Sequence, residues 1–285
     1  MERHFCLDDS PTFRMLELDE VGSTNNFLRH LATPGDERMT LVTAEYQTAG
    51  RGADTNRWES ARGENLLLSL RVMPSHLPVG RMFVLSEAAA LAVRESLEGL
   101  LKEQGARGKE HENTDSLSTP PAPCSLPLAP NPAFTVKWPN DIYYGDSKVA
   151  GILIENDLQG AWVKRSTIGI GINVNQRRFV SDAPNPRSLA DILGHEVERR
   201  FVLERFMESM TRYLRQIDGQ PEALDALHES YKQRLYRRGE EHAYSDKDGT
   251  FRATLIDVEP SGHLVLRDTK GGLRRYAFKE VKFVL

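Results

Sequence analysis

Phe134-Thr-Val-Lys-Trp-Pro-Asn-Asp141, with Lys148-Val-Ala-Gly-Ile-Leu-Ile-Glu155 starting seven residues past Asp141, reads as a strand, a turn and a returning strand. Apolar β-formers open the first segment, and Pro139 cannot donate to a sheet ladder, so the chain must turn there. That turn gathers Lys137, Asn140 and Asp141 at the mouth of the strand, while Gly151 permits close backbone approach on the way back. Taken singly, each charge is more simply a solvated side chain and Trp138 a core residue. The string as a whole points to a site.

Outward from this stretch, Leu41 to Ala44, Leu66 to Val72 and Ala161 to Asn173 are short apolar runs that read as buried strands. Between them Arg81 to Leu101 places Leu85, Ala88, Ala89, Ala92, Val93 and Leu97 at helical spacing, as for a helix packed closely on a sheet. Ser23 is placed as the N-cap of a short helix carrying Phe27, Leu28 and Leu31 and stopping near Thr33-Pro34-Gly35. Later come a helix with Leu203, Phe206, Met207, Met210, Leu214 and Ile217 on one stripe and another opened by Pro221. The fold class expected is α+β. From about Arg238, short strands (Thr250 to Val258, His263 to Arg267, Leu273 to Phe278) alternate with turns, as in a small β-barrel, and Phe278 to Val284 reads as a strand packed home.

Residues 104–133 differ in character: six of the fifteen prolines fall there, with almost no large apolar residue, so this stretch is expected to be a flexible insertion within one domain. The 285 residues suffice for one substantial core and a small appendage. A net charge of −4 supplies no global attraction to DNA or to an acidic bilayer, so neither is an expected partner. Two cysteines, Cys6 and Cys124, form no disulfide framework or metal-ligand pattern, and no secretory leader or membrane span is evident, so a cytoplasmic location is expected.

Three further motifs bear on chemistry. Gln47-Thr-Ala-Gly-Arg-Gly52, running on through Ala53 to Trp58, combines glycines that let N–H groups approach an anion with a fixed arginine charge; it is neither a Walker A loop nor a dinucleotide fingerprint. Gly22-Ser-Thr-Asn25 sets three small polar side chains at a helix start. Gly169-Ile-Gly-Ile-Asn173 alternates glycine along an apolar strand, leaving room either for a flat ligand or for a packed neighbour.

In this order, the four motifs resemble those of the biotin-protein ligases over roughly Val21 to Asn175, and the C-terminal tail is also similar. The resemblance implies a catalytic domain related to class II aminoacyl-tRNA synthetases over 1–237 and an SH3-like domain over 238–285. It implies an ATP-dependent ligase that makes biotinyl-5'-AMP and transfers biotin to a lysine of a biotin carboxyl carrier protein. Mg²⁺ would accompany the phosphates, with Asn140 or Asp141 as nearby contacts. Monomer and homodimer are both left open. On the same resemblance, Ser23, Thr24, Asn25, Gln47, Arg51, Gly52, Ala53, Lys148 and Gly151 are the biotin side, and Arg51, Trp58, Asn140, Lys148 and Asn173 the adenylate side. Many relatives carry basic residues and another glycine after Gly-Arg-Gly, where this chain has Ala53-Asp-Thr-Asn56.

Joining a carboxylate to the α-phosphate of ATP brings two anions together, so Lys148 and Arg51 are the expected catalytic cations, and Asp141 is expected to orient the attacking amine. The nearest alternative is a lipoate or octanoate ligase, whose usual Arg-Arg-x-Ser-Gly-Gly-Gly type of loop is missing here. A biotin-sensing DNA-binding regulator is disfavoured because only about twenty residues precede the Ser-Thr-Asn motif, too few for a helix-turn-helix. A peptide-binding role for the tail is the third reading.

Overall fold

The computed structural model describes residues 2–5, 13–32, 39–52, 56–112, 133–181 and 185–285. Strands β1 (Glu2–Phe5), β2 (Phe13–Val21), β3 (Met39–Gln47), β4 (Leu66–Val72), β5 (Phe134–Lys137), β6 (Asp141–Tyr144), β7 (Ser147–Gln159) and β8 (Trp162–Ile172) form one sheet. Its order is β1-β2-β3-β4-β8-β7-β6-β5, antiparallel except for the parallel β2–β3 pair. Helix α1 (Thr24–His30) lies between β2 and β3 in sequence, and α2 (Val84–Glu112) follows a 3-10 turn at Val79–Arg81. After β8 come α3 (Leu189–Leu193), α4 (Arg199–Ile217) and α5 (Pro221–Lys232). Strands β9 (Glu241–Asp246), β10 (Gly249–Val258), β11 (Leu264–Asp268), β12 (Leu273–Tyr276) and β13 (Lys282–Phe283) form a second, wholly antiparallel sheet, β12-β11-β10-β9-β13.

The two faces of the central strand β4 have different chemistry. Leu66, Leu68, Leu70 and Val72 join the apolar core with Leu85, Ala88, Ala89 and Ala92 of α2 and Phe206 and Met210 of α4. The alanines let α2 sit close to the sheet, as their run implies. On the opposite face Ser69 and Arg71 are fully buried beneath α1. Arg71 donates to the Leu31 carbonyl (2.9 Å) and to Thr40 Oγ1 (2.8 Å), and at longer range to the Leu28 carbonyl (3.4 Å). It thereby satisfies acceptors at the end of α1, where the helix dipole also favours a cation.

The structure corrects several expectations. Helix α2 continues to Glu112, so the stretch expected to be an insertion from Gln104 begins as helix. Residues 102–112 contain no proline and mostly good helix formers, which outweigh Gly105 and Gly108. Residues 113–132, with Cys124, and also Cys6 and the expected stop at 33–35, lie outside the described residues. Strands β1, β2, β6 and β9 and helix α3 were not anticipated from the pattern. The expected strand Phe278 to Val284 reduces to Lys282–Phe283; Phe278 is half exposed, its ring edge-on to Trp138 at 6.1 Å.

The second sheet touches the strand-turn-strand motif directly. Trp138 Nε1 donates to the Gly262 carbonyl (2.9 Å), and Tyr231 of α5 donates to the Pro139 carbonyl (2.7 Å). Gly262 has φ +92, and a Cβ there would lie 2.6 Å from the Phe83 ring. Lys232 pairs with Asp257 (3.0 Å), and His228 with Glu87 (2.5 Å), tying α5 to both neighbours.

Replacing Arg71 with methionine keeps most of the volume but strips the α1 carbonyls and Thr40 of their donor. The expected loss is about 2–4 kcal/mol of unfolding free energy, read from urea denaturation against wild type.

Candidate active site

Strand pairing sets the floor of the site. Gly151 faces Gly171, Leu153 faces Gly169 and Glu155 faces Thr167 across β7 and β8, while Leu67, Ser69 and Arg71 of β4 face Gly171, Gly169 and Thr167. Directly paired residues share a face, so these side chains belong to the polar face under α1. A Cβ on Gly151 would fall 2.8 Å from Trp58 Cζ3, and one on Gly171 closer still to the same indole. One on Gly169 would strike the Asn25 amide. Of the two readings open for the alternating glycines, the structure gives the packed neighbour: the Trp58 indole and the Asn25 amide lie directly against them and form the floor with them. The Trp58 Nε1–H is buried there with no hydrogen-bond partner among the described residues, which is costly for a donor.

At the start of α1 a polar cluster lies over this floor. Gln47 Oε1, at the end of β3, accepts from the Thr24 N–H (2.7 Å) and hydroxyl (3.0 Å). Ser69 Oγ lies 2.7 Å from Thr24 Oγ1 and 2.6 Å from Asn25 Oδ1. Thr24, Asn25 and Ser23 are all nearly buried. Ser23 does occupy the N-cap, with φ −156, but its side chain makes no capping bond. Capping, which would account for this serine on its own, is therefore not its role; the first helical N–H goes to Gln47.

The loop carrying Arg51 and Gly52 folds back on Trp58. Trp58 N–H donates to the Gly50 carbonyl (3.1 Å) and Gly52 N–H to the Asn56 carbonyl (2.8 Å). Ala53 lies outside the described residues. The Arg51 guanidinium forks onto Glu155 (3.2 and 3.3 Å) and reaches Asn26 Oδ1 (2.6 Å). Arg51 and Lys148 are thus not brought together as a pair of cations. Lys148 Nζ reaches along the strand to within 3.2 Å of where a Cβ on Gly151 would sit, and Gly151 stands four residues from Glu155, about 13 Å at ~3.3 Å per residue.

At the other end, Lys148 Nζ pairs with Asp141 Oδ2 at 2.7 Å and lies 5.8 Å from the Trp58 ring centroid. Asn173 is buried, and its amide reaches the Lys148 carbonyl (3.5 Å). Asn140 turns away, donating to Ser86 Oγ of α2 (2.8 Å). Lys137, cross-strand from Asp141, has its ammonium 5.4 Å from the Tyr143 ring and 5.1 Å from the Phe283 ring. Burial pushes the Lys137 pKa below the usual lysine range, against the opposing pull of Asp141.

No cluster of three or more His, Cys, Asp or Glu side chains suited to a metal occurs among the described residues. Asp141 is engaged by Lys148. An open depression of about 440 Å³ beside α1, lined by Ser23, Asn26, Phe27 and Ala49 among others, includes none of Lys148, Asp141 and Trp58. The trough is defined by its side chains and not by that hollow. Sequence reasoning passed over Ser69, Asn26 and the role of Glu155. A serine and an arginine alternating with leucines in β4 were the available signal for a polar buried face.

The chain is 28% identical over 263 residues to the bifunctional ligase/repressor BirA of Bacillus spizizenii, covering 90% of this chain and 70% of that one. It is 26% identical over 259 residues to the biotin–acetyl-CoA-carboxylase ligase of Paracoccus denitrificans, covering 89% and 94%. Its backbone is similar to the biotin protein ligase of Aquifex aeolicus solved with biotin and ATP, with a TM-score of 0.69 at 23% identity over 95% of this chain and 99% of the other. At that identity the likeness speaks for the fold alone. The sequence model of the biotin/lipoate A/B protein ligase family matches residues 18–173, more than half of the chain, and the protein belongs to that family.

Proposed function

We propose that this protein is a biotin-protein ligase, activating biotin with ATP and passing it to a lysine of a biotin carboxyl carrier protein. The observation that carries this reading is the Lys148–Asp141 pair at one end of a glycine-floored trough whose other end is the Thr24, Asn25 and Gln47 cluster. A ligand with a small polar head and an anionic tail matches that layout. The polar cluster takes the head, and Lys148 takes the anions where reaction occurs. The relative named as a biotin–acetyl-CoA-carboxylase ligase favours biotin over lipoate.

In the first step a biotin carboxylate oxygen attacks the α-phosphorus of ATP, and pyrophosphate leaves. Lys148, exchanging Asp141 for the two approaching anions, offsets their repulsion and the charge gathering on the phosphoryl oxygens. ATP enters as its Mg²⁺ complex, with the metal as part of the substrate. Trp58 and Asn173 form the nucleotide side of Lys148, and the unpartnered indole N–H is a donor available to a bound ligand. In the second step the carrier lysine attacks the acyl carbon and AMP leaves. Asp141, released by Lys148, attracts the incoming ammonium and is placed to take up its proton.

Pyrophosphate exchange with either biotin or lipoate tests the assignment: biotin is expected to support it and lipoate to fail. Exchange with lipoate alone would sink the reading. Lys148→Ala is expected to cut biotin-dependent exchange by about 10²–10³-fold with the fold retained. Gly171→Ala should lower exchange by on the order of 10²-fold, because its methyl displaces Trp58 from the trough floor; circular dichroism would check that the sheet persists.

A further inference from the structure

Glu155 ends the Gly151-Ile-Leu-Ile-Glu155 string, and nothing in the reaction just described uses it. Its side chain is only 20% exposed yet takes four polar contacts from three residues. Oε1 accepts from Arg29 (3.0 Å) and Arg51 (3.2 Å), and Oε2 accepts from Asn25 Nδ2 (3.1 Å) and Arg51 (3.3 Å). The Arg51 contact is two-pronged, the geometry in which an arginine–carboxylate pair is strongest and most directional. The Asn25 contact fixes which way the amide faces. With Nδ2 on Glu155 and the Leu153 carbonyl (3.4 Å), Oδ1 must face Ser69, whose single proton serves it. Asn25 is nearly buried against Gly169, so a reversed amide would leave its oxygen facing the Glu155 carboxylate and the Leu153 carbonyl, acceptor against acceptors.

We infer that Glu155 is a positioning residue for the biotin end of the trough: one carboxylate sets the Asn25 amide and anchors Arg51, and so couples α1 to the Gly50–Gly52 turn. It touches no reacting atom. In this arrangement Arg51 is held by Glu155 and Asn26, and its part is to fix the turn, leaving the phosphate to Lys148. The inference rests on the biotin-ligase reading for what the trough holds, though not for what Glu155 holds together.

Glu155→Gln is the informative substitution, since it preserves shape and an acceptor for Asn25 while removing the charge that Arg51 and Arg29 require. Two measurements on the full chain separate the outcomes. Hydrogen–deuterium exchange of the ligand-free protein should quicken about tenfold in the segments 22–31 and 45–52, with α2 and α4 unchanged. In biotin-dependent pyrophosphate exchange, KM for biotin should rise about tenfold while kcat stays within about twofold, and adding Arg51→Met should raise KM little further, because both changes break one contact. Unchanged exchange protection in those segments, an effect on kcat alone, or fully additive effects of the two substitutions would each overturn the inference. If the segments loosen as expected but the wild-type protein shows no exchange with biotin, the positioning role stands and the biotin assignment fails.

Discussion

Ser69 and Arg71 lie on a central strand with no exposure to solvent, and that single constraint organises the molecule. A buried hydroxyl and a buried guanidinium must find partners within the protein, because leaving either unmet costs as much as a good part of a domain's net stability. The partners are the polar start of α1 and the carbonyls at its end. A seven-residue helix is too short to persist on its own propensity, so α1 is held at both ends by residues of the strand beneath it. The arrangement that keeps β4 satisfied is the same one that holds Thr24 and Asn25 over the glycine floor. Stability of the sheet and geometry of the trough are therefore not separable in this region.

The core half of the fold was legible because it is written in periodicity. Leu66 to Val72 corresponds to β4 without adjustment, and the stripe from Leu203 to Ile217 lies within α4. Pro139 marks the turn between β5 and β6, as its missing donor requires. What was not legible depends on partners far away in sequence. Phe13–Val21 carries charges at Arg14, Glu17, Asp19 and Glu20 that break any strict alternation, so it reads weakly by itself, yet β2 is fixed by parallel pairing with β3. Glu155 looks like a strand end next to solvent until Arg29, Arg51 and Asn25 converge on it from 104 to 130 residues away. The glycines of β8 were correctly singled out, but whether they admit a ligand or a neighbour is decided by Trp58, which no local pattern places against them.

The second sheet bears on the same site through its contacts. Trp138 sits between β5 and the Pro139 turn, and its indole N–H is spent on a carbonyl of the β10–β11 connection. Tyr231 holds the Pro139 carbonyl from the helix side, so the turn that presents Asn140 and Asp141 is gripped from two directions. Each grip is an ordinary hydrogen bond, worth about 1 kcal/mol net, but both act on a turn of three residues. The direction of Asp141, and hence its reach to Lys148, depends on elements that follow it in sequence by some 90 to 120 residues.

Lys148 and Arg51 differ most in how readily each gives up its present partner, and the roles proposed for them follow that difference. Lys148 holds one carboxylate through a single contact, with both side chains a quarter exposed, so an arriving anion can replace Asp141 with little reorganisation. Arg51 is forked onto Glu155 and also bound to Asn26, and Glu155 in turn is shared with Arg29 and Asn25. Pulling Arg51 away would strand charges and amides on α1 and on β7 at once. A cation meant to meet a changing charge should be easy to exchange, whereas one meant to fix a turn should not be. By that criterion the proposed electrostatic role suits Lys148, and the proposed role of a frame at the other end of the trough suits Arg51 with Glu155.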